Sequence, residues 1–292
     1  MIFIFDYLRG AGTIIGLAAG DALGAPLEGL NPQKKLITEM IPGGIHKRES
    51  GEITDDTLSA LAISESLVEL KGFFLNDIAR RMCEEYVKKP GFFGPTSTGV
   101  FLGMLAGEDF LAVSKKICQR GGGKSNGSVM RGAPVGVYFP PEKTREFSIK
   151  CSKITHYHPV SCECSSFVNS MVSRLCRGFE RSDSYKEALS EIENKTVADM
   201  LSNLNSYPLN PSLDSLKATH CAVSVFMDAD NFEEMLIRAV NLGGDADTIG
   251  AICGALGGGY WGADEIPKRW AEKLKSLKRI KCAAYSLAEC AL

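Results

Sequence analysis

Apolar residues along this chain recur mostly three and four positions apart, in segments of roughly 10–20 residues broken by Gly, Pro, Asn and Ser, which is the period of amphipathic helices. The pattern predicts helices over Tyr7–Ala22, Asp56–Leu70, Leu75–Lys88, Phe110–Gln119, Pro159–Phe179, Ser184–Asn194, Leu216–Phe226, Phe232–Asn241 and Thr248–Tyr260, with further ones starting near Pro267 and Cys282. β-branched runs are few, the best being Leu36-Ile37-Thr38 near Ile41, so any sheet is small. No internal repeat or low-complexity linker interrupts the pattern. The expectation is an all-α chain folded as one compact helical bundle over residues 1–292.

In the first predicted helix and just beyond it, Gly12, Gly16, Gly20 and Gly24 fall every four residues and so share one face almost without side chains. Glycine costs a helix about 1 kcal/mol per site relative to alanine, so four in register imply a purpose. Close packing against another helix is the simpler one, and contact with a ligand the other.

Composition narrows the class. The 292 residues are 45% hydrophobic and 23% charged, as in an ordinary soluble protein. A formal net charge of -2 and the lack of any long Lys/Arg run argue against a nucleic-acid partner. The apolar stretch from Gly10 is preceded by Asp6 and interrupted by Asp21, and its uncharged run to Gly20 is short for a membrane span or a secretory leader. Ten cysteines without an export signal suggest reduced, mostly buried thiols and a cytoplasmic location.

Two oxygen-rich knots carry the chemistry: Thr54-Asp55-Asp56-Thr57, and Asp245-Ala246-Asp247-Thr248 behind Gly243 and Gly244. Each precedes an apolar helical run, so each alone reads as an N-cap with acidic residues on the positive helix end. Both, however, carry paired carboxylates where one Ser or Asp would cap the helix. Packing two such ends together without cations is repulsive, and shared divalent ions remove the conflict. The second knot is no EF-hand, because that register puts Ile249 and Leu256 at ligand positions.

Two further segments can be weighed in the same way. Gly121-Gly122-Gly123-Lys124-Ser125-Asn126-Gly127-Ser128 ends like a P-loop, but Cys118 occupies the first glycine position and a helix precedes it where a strand is needed. A glycine-rich turn into a helix starting near Ser128 could still offer backbone N–H groups to a diphosphate, or be a flexible surface loop. His156 and His158, two of only four histidines, lie near Cys162 and Cys164 at a spacing that matches no standard zinc pattern. One histidine capping a helix or lining a pocket, with the cysteines as core thiols, is the better reading.

Taken in order, Gly20 to Glu28, Thr54 to Thr57, Ser125 to Arg131, Thr155-His156 and Gly243 to Gly250 resemble the motifs of the ADP-ribosylglycohydrolase family, which includes the dinitrogenase reductase-activating glycohydrolase. The resemblance implies a compact all-α fold and a centre of two Mg²⁺ or Mn²⁺ ions. Position by position, it makes Thr54, Asp55, Asp56, Asp245, Asp247 and Thr248 the metal ligands. It makes Glu28 or Asp56 the acid or base, and Ser125, Asn126, Gly127, Ser128 and His156 the contacts to ADP-ribose. It also implies ions that hold the ribose hydroxyls and activate water, with carboxylates stabilising the oxocarbenium-like charge of glycosidic cleavage. The substrate is then an ADP-ribosylated protein or small molecule. Around Gly94-Pro95-Thr96-Ser97-Thr98 the chain has hydroxyls and no carboxylate, whereas arginine-directed members carry an aspartate there, which points towards serine-linked ADP-ribose or a small metabolite. The rival readings are a catalytically silent ADP-ribose-binding protein and a metal-dependent nucleotide phosphohydrolase.

Overall fold

Two helices from opposite ends of the chain meet backbone to backbone at the centre of the structure, a computed structural model that describes residues 4–32 and 34–291. These are α1 (Tyr7–Gly24) and, much later in the chain, α13 (Ala246–Trp261). Between them lie α2 (Asp55–Leu70), α3 (Leu75–Lys88), α4 (Pro95–Leu105), α5 (Phe110–Gln119), α6 (Ala133–Tyr138) and α7 (Pro141–Ser152). Then follow α8 (Pro159–Leu175), α9 (Arg181–Ser190), α10 (Lys195–Ser202), α11 (Ser215–Met227) and α12 (Phe232–Val240), and after α13 come α14 (Lys268–Ala271) and α15 (Leu277–Cys290). Among the described residues there is no β-strand, only isolated bridges at Gly43–Arg48 and Ser125–Asp214. The all-α expectation holds, and Leu36-Ile37-Thr38 forms no sheet: its Ile37 N–H and carbonyl are taken by the Asn241 side chain.

Four helices escape the periodicity. α4, α6 and α7 each carry Pro in the first turn, where its missing N–H costs nothing, so residues that read as breakers are helix starts. α10 is short and polar. Conversely, the helix expected from Ser128 does not form. Residues 128–131 are turns, with the Val129 and Met130 N–H groups bonded back to the Asn126 carbonyl, and α6 starts only at Ala133.

The glycine stripe explains how α1 and α13 meet. A methyl group built on Gly12 would stand 2.5 Å from the Gly258 carbonyl oxygen, and on Gly16, Gly20 and Gly24 it would come closer still to the carbonyls of Gly254, Gly250 and Ala246. The relation is reciprocal, since Gly250, Gly254 and Gly258 press on Gly20, Gly16 and Gly12. The helices therefore run antiparallel in a fixed register, the start of α13 against the end of α1. The segment Tyr7–Leu27 is long and apolar enough by composition to cross a membrane, which the uncharged run alone understates, yet its most apolar 18-residue window is buried here. One hydrophobic cluster wraps this pair, with residues from Ala11 to Ala288.

Gly20→Ala should lower the unfolding free energy by about 2 kcal/mol or more in urea melts, although alanine is the better helix former. Gly91→Ala, where an added methyl meets nothing within 4 Å, should leave stability nearly unchanged. Equal effects at the two positions would show that the close approach does not hold the pair.

Candidate active site

The register of α1 on α13 brings the two knots together. Thr54 is the N-cap of α2, accepting from the Asp56 N–H, so Asp55 and Asp56 occupy its first turn. Asp21, fully buried near the end of α1, reinforces that turn: its carboxylate accepts from the Thr54 and Thr57 N–H groups and from the Thr57 hydroxyl. Asp245 stands at the N-cap position of α13 but does not cap its backbone N–H groups; its carboxylate turns instead to the side chains of Asn126, Asp247 and Thr248.

Glu28 is placed by a second glycine device. The Gly29 N–H donates to the Gly244 carbonyl at 2.7 Å, and the Gly244 N–H to the Leu30 carbonyl at 2.8 Å. Gly243 and Gly244 both need positive φ (73° and 61°) to turn the chain there. Glu28, Asp245 and Asp247 thereby present oxygens all within 4.8 Å of one another.

These residues form one end of a cavity of about 230 Å³, lined by Glu28, Asp55, Asp56, Asp245, Asp247 and Thr248. Its other wall carries Ser125, Asn126, Gly127 and His156, with Phe92 and Thr96 alongside. Asn126 links the halves: its side-chain amide donates to Asp245 and its N–H to the Leu213 carbonyl. Ser125 Oγ lies 2.9 Å from His156 Nε2, and the His156 ring packs on Gly127, where a Cβ would come within 2.7 Å of it. Two residues expected to face the ligands stand behind them. The Thr54 hydroxyl donates to Asp56 Oδ2 at 3.1 Å, and Ser128 is buried behind the turn, its backbone carbonyl accepting from Ser165. His158 caps α8 through Nδ1, and Cys162 and Cys164 are buried free thiols.

The acidic end is electrostatically unfavourable by itself. Burial, then the charge of Asp21, raises the Asp55 carboxyl to about 8. Burial with the neighbouring aspartates likewise drives Asp56 and Asp247 well above the usual range, and burial raises Asp245. Two buried carboxylate oxygens, Asp56 Oδ1 and Glu28 Oε2, also lack a hydrogen bond, although Glu28 has Arg48 and His46 at ion-pair distance. Mutually repelling carboxylates, with one hydroxyl beside them, form an all-oxygen donor set that fits a hard divalent cation such as Mg²⁺ or Mn²⁺.

Several residues at the site were not singled out from the sequence. Asp21 gave a signal, a charge inside an apolar helix, because such a group must be paired when buried. Arg131, fully buried, donates to the Gly127 carbonyl and to Thr155 Oγ1 and sits beneath the acidic end. Arg48 and His46 reach over the mouth, 3.7 and 3.5 Å from Glu28 Oε2, on a loop with no sequence pattern to flag it.

Fold and site together define an all-α protein with an acidic, cation-ready centre beside a polar pocket. The family model for ADP-ribosylglycohydrolase matches residues 6–291. The ADP-ribosyl-[dinitrogen reductase] glycohydrolase of Rhodospirillum rubrum is 30% identical, the match covering 91% of this chain and 90% of that one. ADP-ribosylarginine hydrolase Tri1 of Serratia proteamaculans is 27% identical, over 96% of this chain and 78% of that one. A solved structure described as an ADP-ribosylglycohydrolase-related protein complex superposes with a TM-score of 0.83 at 26% identity, covering 98% of this chain and 99% of that one. The chain belongs to the ADP-ribosylglycohydrolase family, and is a hydrolase of ADP-ribosyl glycosidic bonds.

The raised carboxyls give the metal-free protein a pH signature. Asp21 and Asp55 titrate at about 6 and about 8 when folded, above their ordinary 3.8, so the fold binds their protons more tightly than the unfolded chain does. That stabilisation is complete below the ordinary value and is lost as pH rises through the folded ones. In chelator, Asp55→Asn should therefore melt higher than wild type at pH 8, with the gap closing near pH 4, and Mn²⁺ should raise the wild-type melting temperature at pH 8. A gap independent of pH would contradict the electrostatic account.

Proposed function

We propose that this protein is a metal-dependent hydrolase that releases ADP-ribose from a modified protein or small molecule, using two Mg²⁺ or Mn²⁺ ions. The observation that carries the reading is the convergence of four aspartates, from two helix starts far apart in sequence, on one cavity with orphaned carboxylate oxygens. Asp55, Asp56, Asp245, Asp247 and Thr248 would hold the ions, with Thr54 steadying Asp56. When bound, such ions supply Lewis acidity that orients ribose hydroxyls and lowers the pKa of water.

The protein's own groups then divide the remaining work. Asp56 is nearly inaccessible and already engaged by Thr54, which suits holding an ion. The Glu28 side chain is 26% exposed at the mouth, where it can exchange protons with solvent and reach a leaving group, which suits the acid and base role. The carboxylates around the anomeric carbon would stabilise its oxocarbenium-like charge. Ser125, Asn126, Gly127 and His156 would hold the remainder of ADP-ribose.

On the linkage, two observations pull apart. From the segment 95–97, Thr96 and Ser97 put hydroxyls and no carboxylate on the cavity wall, while the Tri1 relative is named for arginine-linked ADP-ribose. Free thiols at all ten cysteines, seven of them buried, support a reducing compartment such as the cytoplasm. The unbroken hydrophobic cluster supports one domain over the chain.

With Mg²⁺ or Mn²⁺, the protein should release free ADP-ribose from a panel of arginine-, serine- and nucleotide-linked substrates, and Asp55→Ala and Asp247→Ala should each lower the rate by about 100-fold or more. Phosphate as the only product would establish a phosphohydrolase, and tight binding without turnover a silent binder. Unchanged rates in both variants would sink the proposed centre.

A further inference from the structure

Behind the pocket wall runs a chain of polar groups with a single permitted direction. Arg131 Nη2 lies 2.8 Å from Thr155 Oγ1, Thr155 Oγ1 lies 2.8 Å from His156 Nδ1, and His156 Nε2 lies 2.9 Å from Ser125 Oγ. Ser125 Oγ in turn lies 3.4 Å from Thr96 Oγ1, and both residues line the cavity. Arg131 and Thr155 are fully buried or nearly so, and His156 is 1% exposed.

A guanidinium carries no lone pair to offer, so Arg131 can only donate. Thr155 accepts from Arg131 with one of its two lone pairs and keeps one proton, for which His156 Nδ1 is the acceptor in reach. The opposite arrangement, with Nδ1–H donating to Thr155, would strand a buried hydroxyl proton at a cost of about 1–3 kcal/mol. A doubly protonated ring is opposed as well, because burial and then the Arg131 charge hold the His156 imidazole well below its usual range. The ring also cannot swing out of line, being packed on Gly127 and tied through its backbone to Ser152.

We infer that Arg131 and Thr155 are positioning residues that lock His156 in the Nε2–H tautomer, so that Ser125 receives a hydrogen bond from the ring and turns its own proton into the cavity. Without a ligand that proton is directed at Thr96. With one it selects a group that only accepts, such as a phosphate oxygen, over a hydroxyl that also seeks an acceptor. The wall is thus a donor even though serine and histidine can each play either part. The ligand half of this inference rests on the proposed function; the tautomer half stands on geometry alone.

The test is a long-range ¹H–¹⁵N correlation spectrum of the full chain labelled at histidine, with the His156 signals assigned by their loss in His156→Gln. The expected pattern at pH 7 is a neutral ring protonated at Nε2, retained in Thr155→Ser and lost in Thr155→Val. Thr155→Val and Ser125→Ala should bind ADP-ribose about tenfold more weakly, and Thr155→Ser should bind it as wild type does. A ring protonated at Nδ1 or at both nitrogens in the wild type overturns the inference without any variant having to fold, and so does an unaltered tautomer in Thr155→Val. An Nε2–H ring in a wild type with no affinity for ADP-ribose upholds the lock and removes the proposed function instead.

Discussion

The contact of α1 with α13 is made by backbone on backbone, and the rest of the site hangs on it. Ordinary helix pairs are held 8–10 Å apart by the side chains between them. Here Gly12, Gly16, Gly20 and Gly24 remove those side chains from one helix, and Gly250, Gly254 and Gly258 remove them from the other. Each glycine faces a carbonyl, so sliding by one residue would drive a neighbouring side chain into the partner backbone. Position is therefore fixed to a fraction of a turn, and the end of α1 lies beside the start of α13. Asp21 and Glu28 on one side, and Asp245 and Asp247 on the other, come within reach of each other because nothing is allowed to separate their helices.

The same closeness creates the electrostatic tension. Four buried aspartates and a glutamate meet at one end of a small cavity, opposed mainly by Arg131 beneath and Arg48 at the mouth. The positive starts of α2 and α13 offset part of the repulsion, and Asp21 spends its charge on the Thr54 and Thr57 donors. What remains is visible as raised carboxyl pKa values and unpartnered oxygens. A fold optimised for stability alone would not keep such an arrangement, and sites that break the rules of burial are where function concentrates.

The helices with clean periodicity were legible in the sequence, and so was the fact that paired carboxylates at two helix starts exceed what capping requires. The glycine stripe announced close packing, though nothing in it named α13 as the partner; that follows from the matching glycines at 250, 254 and 258 only once both are seen together. Helices α4, α6 and α7 were hidden because proline reads as a breaker and only the three-dimensional context makes it a first-turn residue. The turn at 126–131 reads in sequence as the lead into a helix near Ser128 for a related reason: Asn126 is held by Leu213, from a remote loop, and its carbonyl collects the N–H groups a helix would have left open. Arg48 and His46 had no local pattern at all, since their relation to Glu28 is set by a bridge between Gly43 and Arg48.

The two ends of the cavity differ in hydrogen-bonding character, and that difference bears on how a ligand would lie in it. The carboxylate end offers acceptors and calls for cations or hydroxyl donors. The opposite wall, if its histidine is locked as inferred, offers a donor from Ser125. Asn126 joins them, donating its amide to Asp245 on one side while its neighbours Ser125 and Gly127 meet His156 on the other. A ligand with vicinal hydroxyls at one end and phosphate oxygens further along matches both ends in one orientation, its hydroxyls towards the cation-ready carboxylates and its phosphate oxygens towards the Ser125 donor.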